Sequence, residues 1–217
     1  MALVNIDAYL ESVHTALTNL QSDSELNTPM SDFGYNAAKV TGIVTLYNTA
    51  NTAHLAQKTE YAEQFGATAA YETARTAAHT AYMRHLTLAR IVYKNNIART
   101  HQLGLQGERR QSYAGWKAQA DQFYAAAIAD TAIQTDLATL GVTLTALQDA
   151  KALVDSADGA WHTQKKEKGE AQEATQTRDE ALDKLQDAFS DLIAVARVAF
   201  ADDAQKLERL GIVVSAG

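Results

Sequence analysis

Apolar residues recur at helical spacing from the start of the chain. A first group, three or four positions apart, predicts a helix that Asn5 or Asp7 caps and that ends near residue 21; its members are Ile6, Leu10, Val13, Leu17 and Leu20. Residues 23–33 are less regular because Pro29 interrupts them. We expect a short helix there at most.

Two very long stretches contain helix-forming residues and no proline. The first extends from about residue 36 to 99 and the second from about residue 143 to 201. Gly34 and Gly141 precede them, and each suits the left-handed position at which a preceding helix ends. Each stretch therefore predicts one long helix, with Gly66 as a place where the first can bend.

The second half of the chain also predicts shorter helices. A turn with two glycines over residues 103–107 precedes a helix from about residue 108 to 129 and a shorter one from 130 to 140. Near the end, Asp202-Asp203 predict the start of a last short helix that ends at Gly211.

The second long stretch carries a seven-residue repeat of seam positions. A 3.5-residue average spacing kept over this length indicates coiled-coil-like packing. One set of seam positions is Val154, Trp161, Lys168, Thr175, Leu182, Phe189 and Ala196, and the other is Ala157, Gln164, Ala171, Arg178, Leu185, Leu192 and Ala199.

The chain also matches itself when Gly34 is aligned with Gly141. Residues 34–96 then align with residues 141–203 without a gap, and 14 of the 63 pairs are identical. Similar pairs such as Tyr82 and Phe189 make a chance match in an alanine-rich chain less plausible. We therefore interpret residues 1–106 and 107–217 as two helical repeats of one intertwined domain, and we call residues that are 107 positions apart, as Gly34 and Gly141 are, equivalent.

Connecting the elements by short turns makes the second long helix antiparallel to the first. The sequence then predicts an all-α, elongated helical bundle with an internal pseudo-twofold repeat, in which short helices flank the two long ones at each end. The alternative is a compact bundle in which the chain turns sharply at Gly66 and Gly169.

In the elongated bundle, the long helices cross near their midpoints. Small side chains allow close approach there, and we expect facing residues to have numbers that add to about 241. Glu63 then faces Arg178 and Tyr71 faces Glu170. The predicted contact residues at this waist are Glu63, Ala67, Thr68, Tyr71, Glu170, Ala174, Thr175 and Arg178.

Composition limits the chemistry. The chain has 217 residues, 42 of them Ala and 22 Thr, and no Cys, so disulfide and thiolate chemistry are excluded. A net charge of −7 disfavours nucleic acid as a partner, because phosphate needs a basic surface. We find no secretory signal at the start and expect a cytoplasmic protein. The most apolar window, residues 192–201, is too short to span a membrane, so no membrane insertion is expected.

Few side chains suggest a metal or ligand site. Glu11 and His14 have the spacing of ligands in di-iron bundles, but no second copy occurs, and we expect no metal and no cofactor. A series of rings in the first long stretch is better explained by amphipathic packing; it comprises Tyr47, His54, Tyr61, Tyr71, His79, Tyr82 and His85. Trp116 and Trp161 are expected core residues.

The segment 103–110, Leu-Gly-Leu-Gln-Gly-Glu-Arg-Arg, combines two glycines, a predicted helix start and two arginines. These features are typical of anion sites, although the P-loop pattern is absent. Arg109 and Arg110 are therefore candidates for docking an anion or an acidic partner, against a plain helix connection as the alternative.

Several motifs occur together: FGY and LGV, QK.E..E, LTLARIVY and IAVARVAF, LGLQGERRQSYAGW, and LERLGIVV at the end. With these motifs the chain resembles a family of bacterial duplicated helical-bundle proteins to which no activity is assigned. The resemblance covers most of the chain and implies a helical, duplicated protein. It transfers no functional residues.

No catalytic order of Ser, His and Asp, no paired catalytic carboxylates and no dinucleotide fingerprint is found. We therefore expect a non-enzymatic helical scaffold that binds a protein partner or copies of itself. The alternatives are a small-ligand or metal carrier and a membrane-active helical protein.

Overall fold

The computed structural model of the protein describes residues 5–212, which form eight α-helices and no β-strand. In chain order these are α1 (Ile6–Ser22), α2 (Ser24–Asp32), α3 (Ala37–Val92), α4 (Ile97–Gln102), α5 (Tyr113–Ala129), α6 (Thr131–Ala138), α7 (Leu144–Ala199) and α8 (Ala204–Arg209). The predicted all-α class is confirmed, and so are the two long helices, α3 and α7, of 56 residues each.

The helix boundaries recur at the offset that aligns Gly34 with Gly141. Helices α1 and α5 begin and end at equivalent positions, as do α3 and α7, and α4 and α8. Helices α2 and α6 begin at equivalent positions, and their ends differ from the offset by one position. The N-cap residues of the short helices also lie at equivalent positions, and the side chain of each accepts a hydrogen bond from a backbone amide of the first turn. The pairs are Asn5 and Ser112, Asp23 and Asp130, and Asn96 and Asp203.

The turns before the long helices are also equivalent. Gly34 and Gly141 follow α2 and α6 with φ of 86° and 78°, so the predicted left-handed glycines are confirmed. After Gly34, the amide of Tyr35 donates to the carbonyl of Met30 over 2.9 Å, and the corresponding bond after Gly141 measures 3.2 Å. These bonds satisfy carbonyl groups that a helix end leaves without partners.

The chain divides into two compact units. The first unit contains the residues up to Tyr61 and those from Glu170 onwards, that is, α1, α2, the start of α3, the end of α7 and α8. The second unit is Ala62–Gly169, with the rest of α3, helices α4 to α6 and the start of α7. Each unit therefore takes segments from residues 1–106 and from residues 107–217.

The core of the first unit is mainly aliphatic. Its fully or nearly fully buried members come from α1, α2, α3 and α7 and include Leu10, Val13, Leu17, Leu20, Leu26, Met30, Ile43, Leu185 and Leu192. The buried alanines Ala50 and Ala196 belong to the same cluster. Of the residues predicted to face inward on the first helix, Leu10, Val13, Leu17 and Leu20 are buried and Ile6 is half-buried. The helix also buries Ala16, which was not predicted.

The core of the second unit is built around aromatic rings. Trp116, Tyr82, Phe123 and Tyr124 are at most 1 % exposed. Phe123 lies with its ring centre 5.8 Å from that of Tyr82 and 5.1 Å from that of Tyr124, at angles of 70° and 82°. These edge-to-face contacts are favourable for aromatic pairs. Trp116 is thus a core residue as predicted.

The first long helix ends earlier than predicted. Helix α3 stops at Val92, well before the predicted end near Arg99, and a turn separates it from α4. The side chain of Asn96 accepts a hydrogen bond from the amide of Arg99 over 3.1 Å. Asparagine bonds the backbone in this way at the expense of a continuous helix, so the prediction of one helix to residue 99 is wrong.

Helix α5 begins later than predicted, at Tyr113 and not near Glu108. Gln119 explains why residues 108–112 stay outside the helix. Its Oε1 accepts from the amide of Arg110 over 3.0 Å, and its Nε2 donates to the carbonyl of Glu108 over 3.2 Å. The backbone groups of this segment are therefore satisfied by a side chain and not by a helical turn.

The alternative fold with sharp turns at Gly66 and Gly169 is wrong. Both residues lie inside α-helix, in α3 and α7 respectively, and neither has a positive φ. Pro29 likewise lies inside a helix, α2, and does not interrupt it.

Within the second unit, α3 and α7 run antiparallel, but in another register than predicted. Gln164 Nε2 donates to Thr68 Oγ1 over 3.3 Å, and the rings of Tyr71 and Trp161 are 5.1 Å apart. Both pairs of residue numbers add to 232, whereas we predicted about 241. The register prediction is therefore wrong within this unit.

Candidate functional site

Three aromatic rings of the second unit meet where α3, α5 and α7 come together. Tyr113 stacks on Trp161 with ring centres 4.3 Å apart and an angle of 16°, and Tyr71 lies 6.3 Å from Tyr113. The ammonium of Lys165 is 4.3 Å from the centre of the Trp161 ring, a cation–π contact. Trp161 is half-buried in this cluster, so the prediction that it belongs to the core is wrong.

Charged residues of α5 and α7 form an ion-pair network beside these rings. Lys117 Nζ lies 2.6 Å from Asp121 and 3.9 Å from Asp158, and Lys151 lies 3.6 Å from Asp121. Hydrogen bonding to Asp121 raises the pKa of Lys117. Burial, with the hydrogen bond to Asp158 as the next cause, raises the pKa of Tyr113. Both pKa values move away from neutrality, which does not suit general acid–base catalysis.

The guanidinium of Arg109 binds both the buried hydroxyl of Tyr82 and backbone carbonyls of the loop between α4 and α5. Its Nη1 donates to the hydroxyl of Tyr82 over 2.7 Å and to the carbonyl of Gly104 over 3.1 Å. Its Nη2 donates to the carbonyls of Gln106 and Gly107 over 2.5 and 3.2 Å. Both terminal nitrogens are thus engaged within the protein, and Arg109 acts as an internal anchor.

Arg110 differs from its neighbour because its side chain is exposed. It packs against the backbone of Gly115, where an added Cβ would come within 2.6 Å of Arg110 Cδ. Since Arg109 is committed to the loop, the prediction of anion or partner docking depends on Arg110 alone. It stays a prediction there.

The histidines of α3 pack inside the units. In the second unit, His85 is 7 % exposed and its Nδ1 lies 3.3 Å from the hydroxyl of Tyr124. Burial lowers the pKa of His85, and nearby Arg84 lowers it further. Burial also lowers the pKa of His79, with Arg75 as the second cause. These rings pack within the second unit, as the amphipathic pattern predicts.

His54 forms the one histidine–carboxylate pair of the first unit that the described residues show. It is 5 % exposed, and its Nε2 lies 3.0 Å from Asp7 Oδ1, which also accepts from Lys58 over 2.9 Å. Hydrogen bonds from Lys58 and His54 lower the pKa of Asp7. His54 Nδ1 is fully buried and has no hydrogen-bond partner. Neither ring nitrogen is therefore open to a substrate.

His14, half of the Glu-x-x-His pair, is exposed on α1. Its ring stacks on Tyr47 with centres 5.2 Å apart and an angle of 20°. The imidazole of His14 therefore covers one face of the Tyr47 ring. Glu11 is exposed as well.

The eight predicted waist residues are divided between the units. Glu63, Ala67, Thr68 and Tyr71 belong to the second unit, and Glu170, Ala174, Thr175 and Arg178 to the first. The hydroxyl of Thr68 donates to the carbonyl of Gln64, and that of Thr175 donates to the carbonyl of Ala171. Arg178 Nε donates to Asp179 over 2.8 Å. The pairings of Glu63 with Arg178 and of Tyr71 with Glu170 stay predictions.

The first unit contains a cleft of about 500 Å³ that the sequence analysis missed. It opens between the end of α1, helix α2 and the start of α3. One wall is polar and comes from α2, and the apolar part includes Leu20 and Val40. A signal was available in the sequence, because Ala37 at this cleft is equivalent to the larger Leu144 in the other repeat.

The chain was compared with protein-family models, with curated proteins and with solved structures, and none of the three comparisons found a match. Within residues 5–212, no helix combines the length and apolarity required to cross a membrane.

Proposed function

We propose that this chain is a duplicated, non-enzymatic helical scaffold that associates with a second copy of itself. The observation that carries the proposal is the exposure of large apolar side chains at equivalent positions of the two repeats. Phe33 and its equivalent Leu140 are 49 % and 42 % exposed, and Ile91 and its equivalent Val198 are 57 % and 65 % exposed.

Single exposed apolar residues are normal on protein surfaces. Here both members of each equivalent pair are exposed, while neighbouring core positions such as Ala89 and Ala196 are buried in both repeats. A partner that exposes the same apolar side chains at matching positions can cover both pairs. A second copy of the chain meets that condition.

The chemistry of the described residues also favours a scaffold over an enzyme. His54 has both ring nitrogens enclosed, and the pKa values of Lys117 and Tyr113 are raised away from neutrality. We propose coiled-coil-like packing along α7 because all its predicted seam positions except Lys168 are buried or half-buried.

The setting that we propose is the bacterial cytoplasm. A net charge of −7 favours a protein partner over nucleic acid. The resemblance to bacterial duplicated helical bundles supports a bacterial source. Membrane insertion forms no part of the proposal.

Light scattering after size exclusion tests self-association across a wide range of protein concentration. We expect the mass to rise towards a dimer with concentration, and Phe33→Ser with Val198→Ser to shift the equilibrium towards the monomer. Lys184→Ser, an exposed change on α7, is the matched control and should leave the mass unchanged. A monomeric mass at every concentration would refute the proposal.

A further inference from the structure

Tyr35 is a buried tyrosine whose hydroxyl makes no hydrogen bond within residues 5–212. It is 4 % exposed, and it lines the cleft of the first unit. Three other buried tyrosines each have a partner for their hydroxyl: Tyr82 with Arg109, Tyr93 with Asp136 and Tyr124 with His85. The hydroxyl of Tyr9 also lacks a partner but is fully enclosed, whereas solvent reaches the hydroxyl of Tyr35. The Tyr35 hydroxyl is therefore free to donate to, or accept from, a bound molecule.

The other repeat differs at the positions that make the cleft. Val142 replaces Tyr35 there and Leu144 replaces Ala37, which removes the hydroxyl and adds apolar bulk. Gln134, the equivalent of Asn27, donates from Nε2 to the carbonyl of Ile128 over 2.7 Å. In the first unit the shorter Asn27 lines the cleft. The space and its polar groups are therefore particular to the sequence of one repeat.

The lining identifies the chemistry of a ligand. Helix α2 contributes an amide from Asn27, hydroxyls from Thr28 and Ser31 and the carboxylate of Asp32. Amides, hydroxyls and a carboxylate bind hydroxyl and amine groups. A volume near 500 Å³ lies in the range of small-molecule sites.

A positive partner for an acidic ligand is missing from the lining, which includes no Lys or Arg. Lys39 is the nearest cation along the chain, and its ammonium lies over the ring of Tyr35, 3.9 Å from the ring centre. This cation–π contact holds the ammonium on the ring of a lining residue, and among the lining residues themselves Asp32 alone is charged. A phosphate or carboxylate ligand would therefore be disfavoured beside Asp32.

We propose that this cleft binds a small polyhydroxylated molecule that is neutral or carries one amine, of the size of a monosaccharide or an amino sugar. The hydroxyl of Tyr35 and the amide of Asn27 bond its hydroxyl groups, and Asp32 pairs with the amine. The site is independent of self-association, since it depends on a different set of residues.

Isotope-edited NMR titration of the full-length protein tests the proposal with glucosamine, glucose and gluconate as probes. A ligand of this size in an open cleft binds with a Kd on the order of millimolar. We expect saturable shifts at the amides of α2, tighter binding of glucosamine than of glucose, and no binding of gluconate. Asp32→Asn should lower the affinity for glucosamine about two- to fivefold, to that for glucose.

Two further variants separate the cleft from the rest of the chain. Ala37→Leu introduces the residue of the other repeat and should abolish binding of both sugars, while Leu144→Ala, the reverse change in the second unit, should leave it unchanged. Circular dichroism checks that both variants keep their helices. Absence of saturable shifts, equal binding of gluconate, or unchanged binding in a folded Ala37→Leu variant would each overturn the proposal.

Discussion

Arg109 donates a hydrogen bond of 2.7 Å to the hydroxyl of Tyr82, a residue with no solvent exposure in the core of the second unit. The same guanidinium binds three carbonyls of the loop between α4 and α5. Arg109 thereby links a surface loop to the aromatic core, and Arg90 of α3 also donates to the carbonyls of Leu105 and Gly107 in this loop. Loss of Arg109 affects both the loop and a buried hydroxyl.

Replacing Arg109 should destabilise the second unit. Arg109→Ala leaves the hydroxyl of Tyr82 buried without a partner, and we expect the free energy of unfolding to fall by about 2–3 kcal/mol. Both tryptophans of the chain, Trp116 and Trp161, lie in the second unit. Urea unfolding followed by tryptophan fluorescence therefore reports on this unit directly.

Arg110→Ala is the matched control for that experiment. Its side chain is exposed, so we expect a change within about 0.5 kcal/mol. Equal losses for the two arginines would contradict the anchoring role of Arg109.

Buried His85 and half-buried His79 make the second unit sensitive to acid. Burial lowers the pKa of His85 and of His79 below the ordinary value of 6.5, so the unfolded chain binds protons more readily than the folded one. Stability is then full above pH 6.5 and falls as the pH drops below it. Each histidine contributes a slope of at most about 1.4 kcal/mol per pH unit.

Urea unfolding at several pH values between neutrality and about pH 5 measures this slope through tryptophan fluorescence. His85→Gln should reduce it, because the titrating ring is removed from its buried position. Thr76→Gln, at an exposed residue of α3 in the same unit, removes no titrating group and should leave the slope unchanged. A slope that His85→Gln does not alter would assign the acid sensitivity to other groups.

Much of the fold could be predicted from the sequence because its signals are local. Asn5, Gly34 and Asp203 each act on the backbone within a few residues, and each has the predicted role. The same kind of signal was missed at Asn96, although this residue aligns with Asp203 across the repeat. The apolar run on either side of residues 93–96 concealed the break between α3 and α4.

The register between α3 and α7 could not be predicted in the same way. Small residues occur at many positions of both helices, so their pattern is compatible with several registers. Large side chains decide between them, since Trp161 has to stack on Tyr113 and lie beside Tyr71. These contacts join three helices and have no signature in any one segment.

The roles of Arg109 and of the cleft depend on tertiary structure in a similar way. Two adjacent arginines after a glycine turn look alike in sequence, and only the position of Tyr82 distinguishes them. The cleft is lined by Ala37, and its equivalent in the other unit is the larger Leu144, a difference that is visible only when the two repeats are compared.

Tyr93 provides a comparison between the repeats. Its hydroxyl donates to Asp136 over 3.0 Å, whereas the equivalent residue, Phe200, has no hydroxyl. Tyr93→Phe should lower the free energy of unfolding of the second unit by about 0.5–1.5 kcal/mol, measured by urea unfolding. Phe200→Tyr should bring no matching gain in thermal stability, because Pro29 stands at the position equivalent to Asp136. A gain there would show that another acceptor serves this site.

The glycines of the second unit should respond in opposite directions to alanine substitution. Gly66 and Gly169 lie inside long helices, and an added Cβ would meet no atom within 4 Å, so alanine should stabilise each by about 0.5–1 kcal/mol. Gly141 has equal space but a φ of 78°, so alanine there should cost about 1 kcal/mol or more through backbone strain. Urea unfolding of the three variants measures these changes. Destabilisation by Gly66→Ala would mean that the backbone at this position requires glycine, which a continuous α3 does not.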